Sequence, residues 1–231
     1  MSDAGTGRRA TVLNAIRGRL GRGAAMPGRM EAVAERLARQ PPHLVPERAR
    51  QDRVRLKALF ADQLRAVSAT VVEAAGPAEV PAAIAAYLRS ANLPLTVRAG
   101  GDPWLEALDW RSEPALTLAS GRAQPADEVG LTKAVAGVAE TGTLVMASGT
   151  DNPVTVNFLP ETSIIVLRES DLVGPYEQAF DKVRAKLGRG TMPRTLNLIS
   201  GPSRTADVGG RLVTGAHGPR RLCVVVVGEP P

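Results

Sequence analysis

The chain has 231 residues, of which 44% are hydrophobic and only 3% aromatic, and this composition predicts one globular domain with an aliphatic core. A single cysteine excludes a disulfide framework or a cysteine-rich metal site, and no apolar run approaches the ~20 residues that cross a bilayer. The net charge of +6 is unevenly spread, since residues 1–67 carry 14 basic and 6 acidic side chains against 15 and 17 in the remainder.

Residues 1–67 form a predicted helical arm with a net charge of +8. Apolar residues recur at helical spacing in three segments, which are Leu13, Ile16 and Leu20; Met30, Val33, Ala34 and Leu37; and Leu56, Leu59, Phe60, Leu64 and Val67. This charge suits docking to an acidic partner, although arginines that simply solvate helices give the same pattern. Sequence-specific nucleic-acid binding is not predicted, because no recognised motif accompanies the charge. The first 20 residues lack the apolar stretch of a secretory signal, which predicts a cytoplasmic protein.

Residues 68–231 alternate short β-like runs with helices, the pattern of an α/β domain with a parallel or mixed sheet. The predicted strands are residues 69–72, 95–98, 115–119, 138–140, 143–147, 163–167, 196–200 and 222–227. One predicted helix runs from Pro77 to Arg89, and another covers residues 172–187. Cys223 lies inside the last apolar run, which predicts a buried thiol rather than a reactive one.

The segment Glu140-Thr141-Gly142-Thr143 interrupts a stretch that otherwise has the composition of a core. Glycine permits close approach of a ligand to backbone N–H groups, and the threonine hydroxyls add donors and acceptors. A hairpin turn with a solvated glutamate accounts for the same residues, so both interpretations stay open.

A second polar segment, residues 199–208, directly follows the predicted strand at 196–200. A Gly-Pro turn leads to Ser203 and Thr205, which predicts a helix whose N–H groups form an anion site together with Arg204. The alternative is an ordinary capped helix in which Arg204 pairs with Asp207.

A third segment, Gly215-Ala-His-Gly-Pro219, comes immediately before the last strand. His217 is a candidate proton donor or anion ligand, and Gly218 a candidate ligand contact, although a structural hydrogen bond explains His217 equally. The two histidines lie far apart without clustered acids, which argues against a zinc site. Glycine-rich nucleotide-binding motifs are absent.

Five stretches in order resemble the LUD domain of the lactate utilization protein C family, also called the YkgG family. They are Val-Gly-Leu-Thr at 129–132, Ala-Glu-Thr-Gly-Thr-Leu-Val at 139–145, Leu-Pro-Glu at 159–161, Gly-Pro-Ser-Arg-Thr-Ala-Asp-Val at 201–208 and Gly-Ala-His-Gly-Pro at 215–219. Family domains usually continue from Leu-Pro-Pro into a His-led strand, where this chain has Glu161-Thr162-Ser163.

The resemblance implies a bacterial protein with a NagB/RpiA/CoA-transferase-like fold, in which helices flank a central sheet and a helical extension precedes it. It also implies a role in oxidation of L-lactate to pyruvate beside partner proteins that carry iron–sulfur clusters. No cofactor is expected in this chain, which is then a non-redox or ligand-binding subunit. Among fold relatives, CoA-transferases use a glutamate nucleophile, so acyl transfer through Glu140 is one alternative. A sensor of a small anion or phosphate is another.

These arguments lead to one predicted pocket that holds a carboxylate or phosphate. The candidate contacts are Thr141, Gly142, Thr143, Ser203, Arg204, Thr205, Asp207 and Gly218, with Glu140 and His217 as candidate catalytic groups. Since ligands of open α/β sheets bind at the carboxyl edge, the pocket is expected there, with Arg204 as the main charge contact.

Overall fold

The computed structural model describes residues 4–20, 27–39, 44–206 and 212–229. The chain divides into two compact units, residues 1–44 and 45–231. The first contains α1 (Ala4–Arg19) and α2 (Pro27–Arg39), so its helices were predicted correctly. The third helix of the predicted arm, α3 (Arg53–Ala66), belongs to the second unit.

A six-stranded, fully parallel sheet forms the centre of the second unit. Its order is β1-β12-β7-β4-β2-β3, and its strands are β1 (Thr70–Ala74), β2 (Thr96–Ala99), β3 (Thr117–Ser120), β4 (Val129–Lys133), β7 (Thr162–Arg168) and β12 (Arg221–Val227). The inner strands β7 and β12 are almost entirely buried, as a parallel sheet covered on both faces requires.

Helices cover both faces of this sheet and divide its core in two. On one face α4 (Val80–Ser90) packs against Ile164 and Val225, while on the other α3 packs against Ile165 and Val224. Successive strand residues point to opposite faces, so each strand feeds both clusters. The predicted central sheet flanked by helices is confirmed.

A smaller, mixed sheet has the order β8-β5-β6-β9. Its strands are β5 (Ala136–Val138), β6 (Thr143–Ala147), β8 (Leu172–Val173) and β9 (Leu196–Ile199). Helix α7 (Tyr176–Leu187) packs on it, and the antiparallel pair β10 (Arg204–Ala206) and β11 (Leu212–Thr214) lies apart from both sheets. Two short helices, α5 (Pro103–Glu106) and α6 (Val154–Phe158), complete the unit.

Three local predictions were wrong. The helix expected after Ser203 is strand β10, whose backbone groups pair with β11 instead of forming a helical turn. The helix expected from residue 172 begins at Tyr176, because residues 172–173 pair with β5 as β8. Strand β4 was missed, because its glycine and threonine interrupt the apolar run.

Candidate functional site

A cavity of about 240 Å³ is lined by residues from two of the three polar segments of the sequence, 199–208 and 215–219. It lies between α6, the end of β9, the loop that enters β10 and the loop that enters β12. The lining residues are Asn157, Phe158, Ser163, Leu198, Ile199, Ser200, Gly201, Pro202, Ser203, His217, Gly218, Pro219 and Leu222.

The cavity lies at the amino edge of the central sheet, and the prediction of a carboxyl-edge pocket for these residues was wrong. Ser163 and Leu222 are the second residues of the parallel strands β7 and β12, and both line the cavity. His217, Gly218 and Pro219 reach this edge because they lead directly into the start of β12.

The hydroxyl of Ser163 is one of the buried polar groups at the cavity. This side chain is 2% exposed, and its Oγ has no hydrogen-bond partner among the described residues. An unpaired buried hydroxyl is unfavourable, which makes it a ready donor or acceptor for a bound molecule.

Asn157 stands beside it in a fixed orientation. The Thr132 hydroxyl donates to Asn157 Oδ1 at 2.9 Å, and Asn157 Nδ2 donates to Asn152 Oδ1 at 3.2 Å. Asn152 Nδ2 in turn donates to the carbonyl of Ala147 at 3.1 Å. This buried chain of hydrogen bonds anchors α6. Asn152 and Asn157 were missed in the sequence because neither belongs to a Gly-rich turn.

Ser203, His217 and Gly218 form the rim. Ser203 N donates to the carbonyl of Pro219, and Gly215 N donates to the carbonyl of Ser203, both at 2.8 Å. These two bonds hold the loops before β10 and β12 together. His217 is exposed at the rim, where its ring can reach a ligand without being buried.

Arg204 and Thr205 stand on β10 and do not line the cavity. The Arg204 side chain is exposed, and residues 204–206, where the helix was expected to begin, form a strand. Asp207 lies outside the described residues, so the predicted alternative of an Arg204–Asp207 pair stays a prediction.

Thr141 and Thr143 belong to a hydroxyl cluster that borders the cavity. Thr143 Oγ1 lies 2.7 Å from Thr141 Oγ1, 2.9 Å from the Tyr176 hydroxyl and 2.7 Å from Ser200 Oγ. Thr143 is fully buried, whereas Ser200 is exposed and lines the cavity. The cluster therefore joins the turn between β5 and β6 to the cavity wall through Ser200.

Gly142 and Glu140 are held by contacts elsewhere. Gly142 (φ +63°) faces α3, where an added Cβ would lie 2.7 Å from Gln63 Cβ. Glu140 Oε1 accepts a hydrogen bond from Arg48 at 3.0 Å, and neither residue lines the cavity. An ion-paired carboxylate away from the cavity gives no support to Glu140 as a nucleophile.

Burial shifts the pKa of Cys223 on β12 and of Lys133 on β4. Burial raises the pKa of the Cys223 thiol to about 12, so the thiolate that reacts or binds metal is not formed near neutrality. Burial also lowers the pKa of Lys133, and the carboxylate of Asp102, 3.9 Å from Lys133 Nζ, offsets this shift only in part.

The described side chains include no group of three His, Cys, Asp or Glu residues placed to hold a metal ion. No helix within the described ranges has the length and apolarity to cross a membrane.

Comparisons with known proteins give one consistent result. The sequence profile of the LUD domain matches residues 57–227. A lactate utilization protein C of Deinococcus radiodurans is 34% identical over 191 residues, which cover 81% of this chain and 86% of that protein. The lactate utilization protein C of Shouchella clausii is 38% identical over 102 residues, and that of Bacillus subtilis is 37% identical over 102 residues. These two alignments span only 44% and 42% of the respective relatives.

A solved structure agrees with the sequence relatives. The crystal structure of a DUF162 family protein from Deinococcus radiodurans superposes with a TM-score of 0.58 at 26% sequence identity. The superposition covers 77% of this chain and 99% of that protein.

Proposed function

The chain belongs to the LUD domain family, and we propose that it acts in the oxidation of L-lactate to pyruvate as a non-redox subunit that binds a small carboxylate. The names of its relatives support the pathway. The amino-edge cavity, defined as the 240 Å³ cavity around Ser163, supports the binding role.

The unpaired Ser163 hydroxyl is the observation that carries this proposal. A carboxylate or hydroxyl group of a three-carbon acid would satisfy it, while Phe158, Leu198 and Leu222 supply apolar walls for the methyl group. The volume of about 240 Å³ lies below the ~300–1,000 Å³ of sites for drug-sized molecules, as a small substrate requires.

Electron transfer is assigned to partner proteins. One cysteine cannot supply the thiolate ligands of an iron–sulfur cluster, and Cys223 is fully buried in β12. We therefore propose that iron–sulfur subunits carry the redox chemistry and that this chain presents or releases the acid.

Replacement of Ser163 by alanine tests the binding role. We expect the parent to be stabilised by about 2.7 kcal/mol by lactate or pyruvate at 100 times its dissociation constant, which raises the unfolding temperature by several degrees. S163A should lose most of this rise. Because the hydroxyl has no partner, S163A should unfold no earlier than the parent without ligand.

Ser120→Ala is the matched control, because Ser120 is exposed at the end of β3 outside the cavity. It should bind both acids like the parent. If neither acid shifts the parent, or if S163A responds as strongly as S120A does, the cavity is not the binding site.

Growth tests the pathway independently. A strain that lacks this gene should grow slowly on L-lactate and normally on pyruvate, and the parent gene should restore growth on lactate. Equal growth of the deletion strain and its parent on lactate would contradict the role in lactate oxidation, whatever the binding experiment shows.

A further inference from the structure

A second and larger cleft, of about 710 Å³, lies at the opposite ends of β6 and β9 from the amino-edge cavity. It is bordered by the turn after β3, the loop after β6, the segment before β9 and the start of α6. We name it the arginine cleft, after Arg122 and Arg194, which line it from two of these segments.

The arginine cleft lies at the carboxyl edge of the central sheet. Gly121 and Arg122 directly follow the last residue of β3, and the loop after β6 packs the carbonyl of Asp151 against Gly100, just beyond β2. Ligands of open α/β sheets bind at this edge. Ser203 and Arg204 were predicted at this carboxyl edge, but Arg122 and Arg194 lie there instead.

Arg122 and Arg194 are exposed, and neither forms an ion pair with another described residue. Two other basic residues, Arg98 and Lys186, do form ion pairs. Arg98 pairs with Asp127 through two hydrogen bonds of 2.8 and 3.1 Å, and Lys186 Nζ lies 2.8 Å from Asp151 Oδ2. Two guanidinium groups therefore line one cleft without an ion pair to any described carboxylate.

Hydrogen bonds fix the segments that carry these arginines. Thr195, next to Arg194, donates its N–H to Ser148 Oγ at 2.9 Å and accepts from Ser148 N at 3.0 Å. Ala123, next to Arg122, donates its N–H to Thr155 Oγ1 at 3.2 Å. Backbone positions held in this way lose little freedom on binding, which favours affinity.

We propose that the arginine cleft binds a phosphate-bearing small molecule of nucleotide size, with its phosphates between Arg122 and Arg194. A guanidinium group can donate two parallel hydrogen bonds to the oxygens of a phosphate. The hydroxyl of Thr150 adds a further donor. The volume of about 710 Å³ falls within the ~300–1,000 Å³ of small-molecule sites, and Pro153 and Val154 give an apolar wall for the rest of the ligand.

Calorimetric titration of the full chain with pyrophosphate, ADP and adenosine tests this assignment. We expect pyrophosphate and ADP to bind the parent and adenosine to bind at least tenfold more weakly than ADP. Arg122→Ala and Arg194→Ala should each weaken the binding of ADP about tenfold or more, as the loss of a charge-assisted hydrogen bond requires.

Arg111→Ala is the matched control, because Arg111 is an exposed arginine of the same unit away from the arginine cleft. It should bind ADP like the parent, and S163A should do so as well, since Ser163 lines the other cavity. The proposal is overturned if the parent binds neither pyrophosphate nor ADP, if both arginine variants bind like R111A, or if adenosine binds as tightly as ADP.

Discussion

The contribution of a buried polar residue in this chain depends on whether other side chains pair with it. Ser163 Oγ has no hydrogen-bond partner in the described part of the chain, whereas Asp171 has two cationic partners. Asp171 is 6% exposed and accepts hydrogen bonds from Arg168 at 2.8 Å and Lys182 at 3.0 Å. Burial alone would raise the pKa of this carboxyl group, but the two cations outweigh burial and lower it below its usual value.

A carboxylate whose pKa is lowered by folding makes the free energy of unfolding depend on pH. Its contribution is complete above the ordinary pKa of about 3.9 and is lost as the pH falls through the lower pKa of the folded state. We expect Asp171→Asn to reduce the free energy of unfolding at pH 7 by about 1–3 kcal/mol. The difference from the parent should shrink as the pH falls below about 4, measured by urea denaturation across pH.

Asp181→Asn provides the comparison. Asp181 pairs with Arg184 at 2.8 Å, but its side chain is 72% exposed, so its loss should cost less than about 1 kcal/mol. Equal effects of the two substitutions at pH 7, or a D171N penalty that stays constant down to pH 2, would contradict the assigned role of Asp171.

Among the structural elements, α3 and the turn between β5 and β6 show how a helix fixes a loop. Gly142 takes a left-handed conformation with φ +63° and lies so close to α3 that an added Cβ would come within 2.7 Å of Gln63 Cβ and 3.1 Å of Leu64 N. The turn carries Thr141 and Thr143, so the position of α3 sets the position of the hydroxyl cluster.

Gly142→Ala should therefore destabilise the protein through both strain and contact. We expect it to lower the free energy of unfolding by about 1–3 kcal/mol more than Gly190→Ala. Gly190 also has a positive φ, +79°, but nothing lies within 4 Å of its added Cβ, so it isolates strain from contact. Denaturant unfolding of both variants gives the comparison, and equal losses would show that α3 does not constrain the turn.

At the scale of the whole molecule, most of the net positive charge belongs to residues 1–44, whereas the described hydrophobic core clusters belong to residues 45–231. The three core clusters all belong to residues 45–231. Residues 1–44 hold 8 basic and 3 acidic side chains, a net charge of +5. Arg48 and Arg53, which belong to the predicted basic arm, contact Glu140 and Glu169 within the second unit.

Removal of residues 1–44 should therefore leave the second unit folded. Its unfolding temperature should stay within about 2–4 °C of that of the full chain, the shift that 1 kcal/mol produces in a domain of this size. Scanning calorimetry of the two proteins measures this difference, and a larger fall would show that the first unit supports the core of the second.

The same truncation tests docking to the proposed iron–sulfur partners. If the basic residues of the first unit attract an acidic surface, the truncated protein should co-purify with them less well than the full chain, most clearly at low salt, where charges are screened least. Equal recovery would indicate that these arginines only solvate their helices.

The sequence by itself determined most of the elements of the second unit. Strands β1, β2, β3, β6, β7, β9 and β12 were predicted to within two residues at each end, because apolar runs bounded by turn residues are local signals. The ordered motifs that end in the segment 215–219 also predicted the family, which the profile match confirms. Burial of Cys223 followed from the apolar run around it.

Only the tertiary structure decided where the sites lie. Which ends of strands meet depends on crossovers and register, so Ser203 and His217 arrived at the amino edge rather than the carboxyl edge. The lack of a partner for Ser163 is likewise a property of its whole surroundings. Arg122 and Arg194 are 72 positions apart and carry no motif, so no local pattern could bring them to one cleft. They follow β3 and precede β9, respectively, which belong to different sheets, and their segments meet because α6 and the loop after β6 hydrogen-bond to the residues beside them.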